Sequence, residues 1–210
     1  MSRILIASAS THGHTAKIAA RIAAVLREQG HLVDECDDLS VSDPLPSDYD
    51  VAIVGASVHA GHHQEIVVDW ARRHAIGLNT VPSAFFSVCL TAADDSEESR
   101  VATRAYLDDV EDRTGWLPRK RTTFAGALQY REYDFMTRLI MRVLMHRGHH
   151  PSDTGHDYDF TDWEAVERFA RICAELAPSP EGNYGADDGV RTVGAPGDRR
   201  QAAGMPIVSL

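Results

Sequence analysis

The sequence predicts an α/β domain, a three-layer sandwich in which a five-stranded parallel sheet carries helices on both faces. Three observations predict it. Strand and helix patterns alternate from the third residue onward. Several strand segments are continuous apolar runs, as in strands covered on both faces. A turn rich in hydroxyl groups joins the first strand directly to the first helix. In sheets of this kind ligands bind outside the carboxyl ends of the strands, at the topological switch point.

Each element has its own signal. Arg3–Ala7 is the first strand, a short Ile and Leu run. Thr15–Glu28 places Ile18, Ile22, Val25 and Leu26 on one helical face, and Gly30 ends that helix. His31–Cys36 reads as a weaker second strand. Asp50–Gly55, DVAIVG, is the third strand, apolar almost throughout. Ile66–Ile76 is a helix. Ser83–Val88, SAFFSV, is the fourth strand, introduced by Pro82. Glu97–Arg113 is a helix whose acidic first turn, Glu97 and Glu98, suits the helix dipole. Arg121–Leu128 is the fifth strand, and Asp134–His146 and Thr161–Leu176 are further helices. From Pro178 to Leu210 the composition turns to Pro, Gly, Asp and Arg without periodicity. Residues 1–177 are therefore expected to form one domain, and 178–210 a disordered tail.

Composition narrows the function. The chain of 210 residues carries 21 Lys and Arg against 31 Asp and Glu, a formal net charge of −10. That balance argues against a nucleic-acid partner held through its phosphates. Lys17 and Lys120 are the sole lysines; the other cations are Arg. A GC-rich genome accounts for the Arg, and a salt-rich cytoplasm accounts for both the Arg and the acidic surface. Cys36, Cys89 and Cys173 show neither CxxC nor zinc spacing, which predicts reduced thiols in or near the core. No apolar run reaches the roughly 20 residues that span a bilayer, and Met1–Ala7 leads into a strand rather than a signal peptide. A cytoplasmic protein, peripheral on the inner face of the cell membrane, is the expectation.

The turn after the first strand reads Ser8-Ala9-Ser10-Thr11-His12-Gly13-His14-Thr15. Hydroxyls, a glycine and a helix N-terminus together suit an anion, because free backbone N–H groups and the helix dipole both favour negative charge. The turn is neither GxGxxG nor GxxxxGK[ST], which disfavours a dinucleotide fold or a triphosphatase. An ordinary Ser/Thr-rich cap uses the same residue types, and the loop alone does not choose between them. A response-regulator phosphoacceptor site needs acidic residues where this chain has Ser8-Ala9-Ser10 and Gly55-Ala56-Ser57.

The turn resembles the flavodoxin phosphate loop, S/T-x-T-G-x-T, with His12 where Thr is usual. Further blocks extend the likeness in order: Gly55-Ala56-Ser57 with Gly61-His62, Asn79 through Val88, Phe124 through Tyr130, Thr161-Asp162-Trp163-Glu164, and Phe169-Ala170. Together, from Ile4 to about Leu176, they resemble the FMN-dependent, quinone-linked protoporphyrinogen dehydrogenase family. The resemblance implies a flavodoxin-like fold, FMN as cofactor, a porphyrinogen as substrate and a membrane quinone as electron acceptor. It places the FMN phosphate at Ser10, Thr11, His12, Gly13, His14 and Thr15. The flavin ring would lie between two loops, Ser57, Val58, His59, Ala60 and Gly61 after the third strand, and Val88, Cys89, Leu90 and Thr91 after the fourth. Small residues there let backbone amides approach the ring edge. No dyad or triad demands a protein nucleophile, so no catalytic side chain is named. An electron-transfer flavodoxin that binds protein partners and an NAD(P)H:quinone reductase of the same fold remain the alternatives.

Two other features bear on function. The segment Asp134–His146 carries a broad stripe of Phe135, Met136, Leu139, Ile140, Val143 and Leu144, bordered by Arg138 and Arg142. Such a face suits a membrane surface or a bulky apolar substrate with carboxylates; packing on the sheet would produce the same stripe. Of the eleven histidines, His59, His62 and His63 form one group and His146, His149, His150 and His156 another. Neither has the interleaved carboxylates of an iron site. No metal is expected, and these histidines are read as solvated loop residues, with His59 near the ring as a ligand for a substrate carboxylate when protonated. The oligomeric state is left open.

Overall fold

A computed structural model of the chain describes residues 1–10, 13–128 and 158–178. Strand β1 (Arg3–Ser8) leads to helix α1 (His14–Glu28), β2 (Leu32–Cys36), β3 (Val51–His59) and β4 (His62–His63). Helices α2 (Glu65–Arg73) and α3 (Ala75–Thr80) precede β5 (Ser83–Cys89), and α4 (Glu97–Thr114) precedes β6 (Lys120–Ala125). The short strands β7 (Ala127–Leu128) and β8 (Tyr158–Asp159) come next, then α5 (Trp163–Ala174). The main sheet has the order β2-β1-β3-β5-β6, and every neighbouring pair along it is parallel.

Alternating side chains of the strands build two cores. On one face Ile4, Ile6, Ile53 and Phe86 pack under α1 and α5, where Ile18, Ile22, Val166 and Phe169 are buried. On the other, Leu5, Val54 and Phe85 meet Val67 and Trp70 of α2, Leu78 of α3 and Trp116. Gly55 is required by the first core. A Cβ there would lie 2.1 Å from Cζ of the Phe86 ring, which fills the space beside β3. Trp116 is fully buried, and its indole N–H donates to Ser83 Oγ at 2.9 Å, so the ring is packed without stranding its polar atom.

The five-stranded parallel sandwich agrees with the expectation, and three local features differ from it. β3 runs on to His59 and turns back through β4, so the residues expected as a loop form a hairpin. The expected helix Ile66–Ile76 is two helices broken at His74, whose φ of −103° and ψ of 14° leave the helical range. The expected strand Arg121–Leu128 leaves the sheet at Gly126. Ala127–Leu128 pairs instead with Tyr158–Asp159 in a separate antiparallel ribbon. The expected helix Asp134–His146 and all but the first residue of the expected tail 178–210 lie outside the described residues.

Candidate cofactor-binding site

The carboxyl ends of β1, β3 and β5 lie side by side, with the reversal of strand order between β1 and β3. This is where an open α/β sheet offers a crevice. α1 starts at that crevice, and among the described residues no side chain caps it. Gly13 is the N-cap, with a left-handed φ of 80° that glycine adopts without strain, and it provides no side-chain cap. There is no acidic residue in the first turn, which carries His14 and Lys17 instead. The other long helices are terminated differently. Ser96 accepts the Ser99 N–H at the start of α4, Asp162 accepts the Ala165 N–H at the start of α5, and α2 carries Glu65 in its first turn. The Lys17 cation at this positive helix end is unfavourable without an anion. The residues present therefore fit a phosphate.

Ser10 is half-buried and Thr15 is 1% exposed. Thr11 and His12 lie outside the described residues. His14 is largely covered, and its Nε2 lies 2.7 Å from Thr161 Oγ1, with the indole of Trp163 edge-on. Burial, and secondarily Lys17, lowers the basicity of His14, while Asp159 opposes them.

The second wall is the β3–β4 hairpin. Ser57 is buried, Val58 is half-buried, and His59, Ala60 and Gly61 are exposed. Ala60 and Gly61 have φ of 47° and 85°. Two successive positive φ values make the tight mirror-image turn that joins twisted strands. At Ala60 this backbone costs about 1 kcal/mol or more. His59 Nε2 and Ser57 Oγ are 3.0 Å apart, on the face of the ribbon shared with His62.

The third wall follows β5. Val88 and Cys89 are buried, and Leu90 and Thr91 open a short 3-10 turn, Leu90–Ala93. Burial pushes the Cys89 thiol up to about 11, and the Cys173 thiol higher still, so both are protonated and inert at neutral pH. Gly126 closes this side. Its N–H donates to the Cys89 carbonyl at 3.2 Å, and a Cβ there would meet Val88 Cγ1 at 3.4 Å.

One reading of the histidines is corrected. His63 is not a solvated loop residue: it is 2% exposed, on the sheet face that carries Phe85. Its ring meets Phe85 and Tyr106 edge-on, and its Nε2 lies 2.9 Å from Ser87 Oγ. Burial pushes its pKa down to about 4, with Asp109 opposing and Arg113 and His62 adding to the drop. The partners come from β5 and α4, far along the chain, and nothing near His63 in sequence signals them. Thr161, the partner of His14, was equally hidden by sequence distance. Among the described residues no group of three or more His, Cys, Asp or Glu is placed to hold a metal ion, and none of the described helices is long and apolar enough to cross a membrane. Arg138 and Arg142 lie outside the described residues.

Comparison with known proteins agrees with this geometry. A short-chain flavodoxin associated with a PDU bacterial microcompartment superposes with a TM-score of 0.50 at 15% identity, covering 85% of this chain and 100% of that one, a likeness of fold. Protoporphyrinogen IX dehydrogenase [quinone] of Escherichia coli strain K12 is 32% identical over 178 residues, 85% of this chain and 98% of the relative. The protein of the same name from Leishmania major is 31% identical over 188 residues, 86% of this chain and 80% of the relative. Residues 5–155 match the flavodoxin domain. The chain belongs to the flavodoxin-domain family, on the branch that holds the quinone-linked protoporphyrinogen IX dehydrogenases.

Proposed function

We propose that this chain is an FMN-dependent protoporphyrinogen IX dehydrogenase that delivers electrons to a quinone. The observation that carries the reading is the 32% identity to a dehydrogenase of that name along 98% of the relative's length. The start of α1, with no acidic residue in its first turn, supports it as well, because a helix N-terminus of this kind favours an anion such as the phosphate of FMN. Bound FMN supplies the two-electron redox chemistry; three such turnovers take a porphyrinogen to a porphyrin.

The chain's own residues hold and orient. Ser10, Thr11, His12, Gly13, His14 and Thr15 are assigned to the phosphate, through hydroxyls and the amides of the first turn. Ser57, Val58, His59, Ala60 and Gly61 on one side, and Val88, Cys89, Leu90 and Thr91 on the other, are assigned to the ring. His59, exposed on the β3–β4 hairpin, is assigned to a substrate carboxylate. Arg138 and Arg142 are assigned to porphyrinogen carboxylates or an anionic membrane surface, which puts the protein in the cytoplasm at the inner face of the membrane. The local excess of Arg in a chain of net charge −10 supports that assignment. Residues 178–210 are taken as a tail outside the domain.

The test is an anaerobic assay of the purified protein with protoporphyrinogen and menadione, scored by porphyrin fluorescence. Menadione-dependent porphyrin formation by yellow, FMN-loaded protein is expected. An FMN-loaded protein that oxidises a nicotinamide but no porphyrinogen would overturn the proposal.

A further inference from the structure

The start of α1 is tied to the segment between β8 and α5, far along the chain, by one partly buried run of polar contacts. Thr161, between β8 and α5, has its Oγ1 2.9 Å from the carbonyl oxygen of Ala125 at the end of β6, and 2.7 Å from His14 Nε2. A carbonyl can only accept, so the threonine hydroxyl proton goes to Ala125. The hydroxyl oxygen must then accept from His14, and the imidazole carries its proton on Nε2. Thr161 itself is held by its N–H, which donates to Asp159 Oδ1 at 2.9 Å, and Asp159 Oδ2 accepts the Trp163 indole N–H at 3.3 Å. Among the described residues, the charged or titratable groups around His14 are Asp159, 3.6 Å away on the β8 side, and Lys17 on its own helix.

This run matters because the first turn of α1 has little else to hold its entry. Gly13 brings no side chain, and nothing lies within 4 Å of where its Cβ would be. Among the described residues no side chain caps α1. We propose that Thr161 is a positioning residue for the FMN phosphate: through His14 it sets the orientation of the first turn of α1, and with it the amides that receive the phosphate. The inference rests on the FMN reading above and adds to it a residue from the far end of the domain, outside the phosphate loop. Lowered basicity keeps His14 neutral near pH 7, so in this role it supplies position rather than charge.

The test compares FMN with riboflavin, which has the same ring and ribityl chain and no phosphate. Flavin fluorescence quenching on the full-length, flavin-stripped chain measures both affinities. Thr161→Val keeps the shape and removes the hydroxyl. It is expected to weaken FMN by about tenfold, the scale of one lost hydrogen bond to a site group, and to leave riboflavin within about twofold. Thr161→Ser should restore the FMN preference, and His14→Phe should lose it as Thr161→Val does. Unchanged FMN affinity in Thr161→Val overturns the proposal. So does an equal loss of both flavins, which marks a general structural role. If the parent protein itself binds both flavins alike, the phosphate site at α1 fails, and the premise falls before Thr161 is reached.

Discussion

His63 makes the stability of this fold sensitive to acid, by an amount that can be worked out. In the folded chain the ring is buried against Phe85 and Tyr106, with Nε2 on Ser87 Oγ and Nδ1 buried without a hydrogen-bond partner among the described residues. Its pKa of about 4 contrasts with roughly 6.5 in an unfolded chain. Between these values the unfolded state binds a proton that the folded state refuses. The contribution is therefore intact above about pH 6.5 and is lost as pH falls, reaching about 2 kcal/mol by pH 5 and about 3 kcal/mol by pH 4. His63→Gln cannot titrate, yet its amide can still reach Ser87. Urea unfolding of parent and variant, followed through the buried Trp70 and Trp116, isolates the term, because every other titrating group is common to both. The variant should lose less stability than the parent between pH 7 and pH 5. Parallel curves would refute the argument and show that protonated His63 is accommodated.

Four further outcomes follow from the structure and the proposed function. Gly55→Ala should cost roughly 1–3 kcal/mol or more by driving a Cβ into the Phe86 ring; in a urea double-mutant cycle Phe86→Leu should recover part of the loss, and strict additivity would sink the explanation. Ser10→Ala with Thr15→Ala should weaken FMN by about 1–3 kcal/mol while sparing riboflavin, and an unaltered FMN titration would put the phosphate elsewhere. Arg138→Glu with Arg142→Glu should reduce sedimentation with anionic vesicles, each cation being worth about 1 kcal/mol near such a surface, and should slow porphyrinogen oxidation at constant FMN content; parental binding and turnover would remove the membrane assignment. Truncation after Ala177 should leave the melting temperature and flavin content unchanged, and aggregation of the shortened chain would make 178–210 structural.

Elements with a strong period were readable from sequence because they are decided locally. Ile18, Ile22 and Leu26 announce α1, and the apolar runs around Ile53 and Phe85 announce β3 and β5, whatever surrounds them. The features that escaped are decided by distant partners. β4, β7 and β8 have two residues each, too few for any period. β3 extends to His59 because β4 is there to pair with it. At the site, the glycine and hydroxyls of the turn before α1 are readable from sequence as an expected anion site. The burial of His63 by β5 and α4, and the bond from His14 to Thr161, are not, since each joins segments that only the completed sheet brings together.

The small ribbon of β7 and β8 has a consequence for how such a protein can change. Leu128 and Tyr158 are register partners, so the backbone departs and returns at adjacent positions, beside the sheet and after its last parallel strand. Among the described residues, the register of the parallel strands and the side chains of both cores come from outside positions 129–157. Between two ends held in this way, the cost of closing the chain grows only logarithmically with its length, by about 0.6 kcal/mol per doubling. A lineage can therefore change the length of chain between these two paired ends at small cost in closure while keeping the register of the parallel sheet.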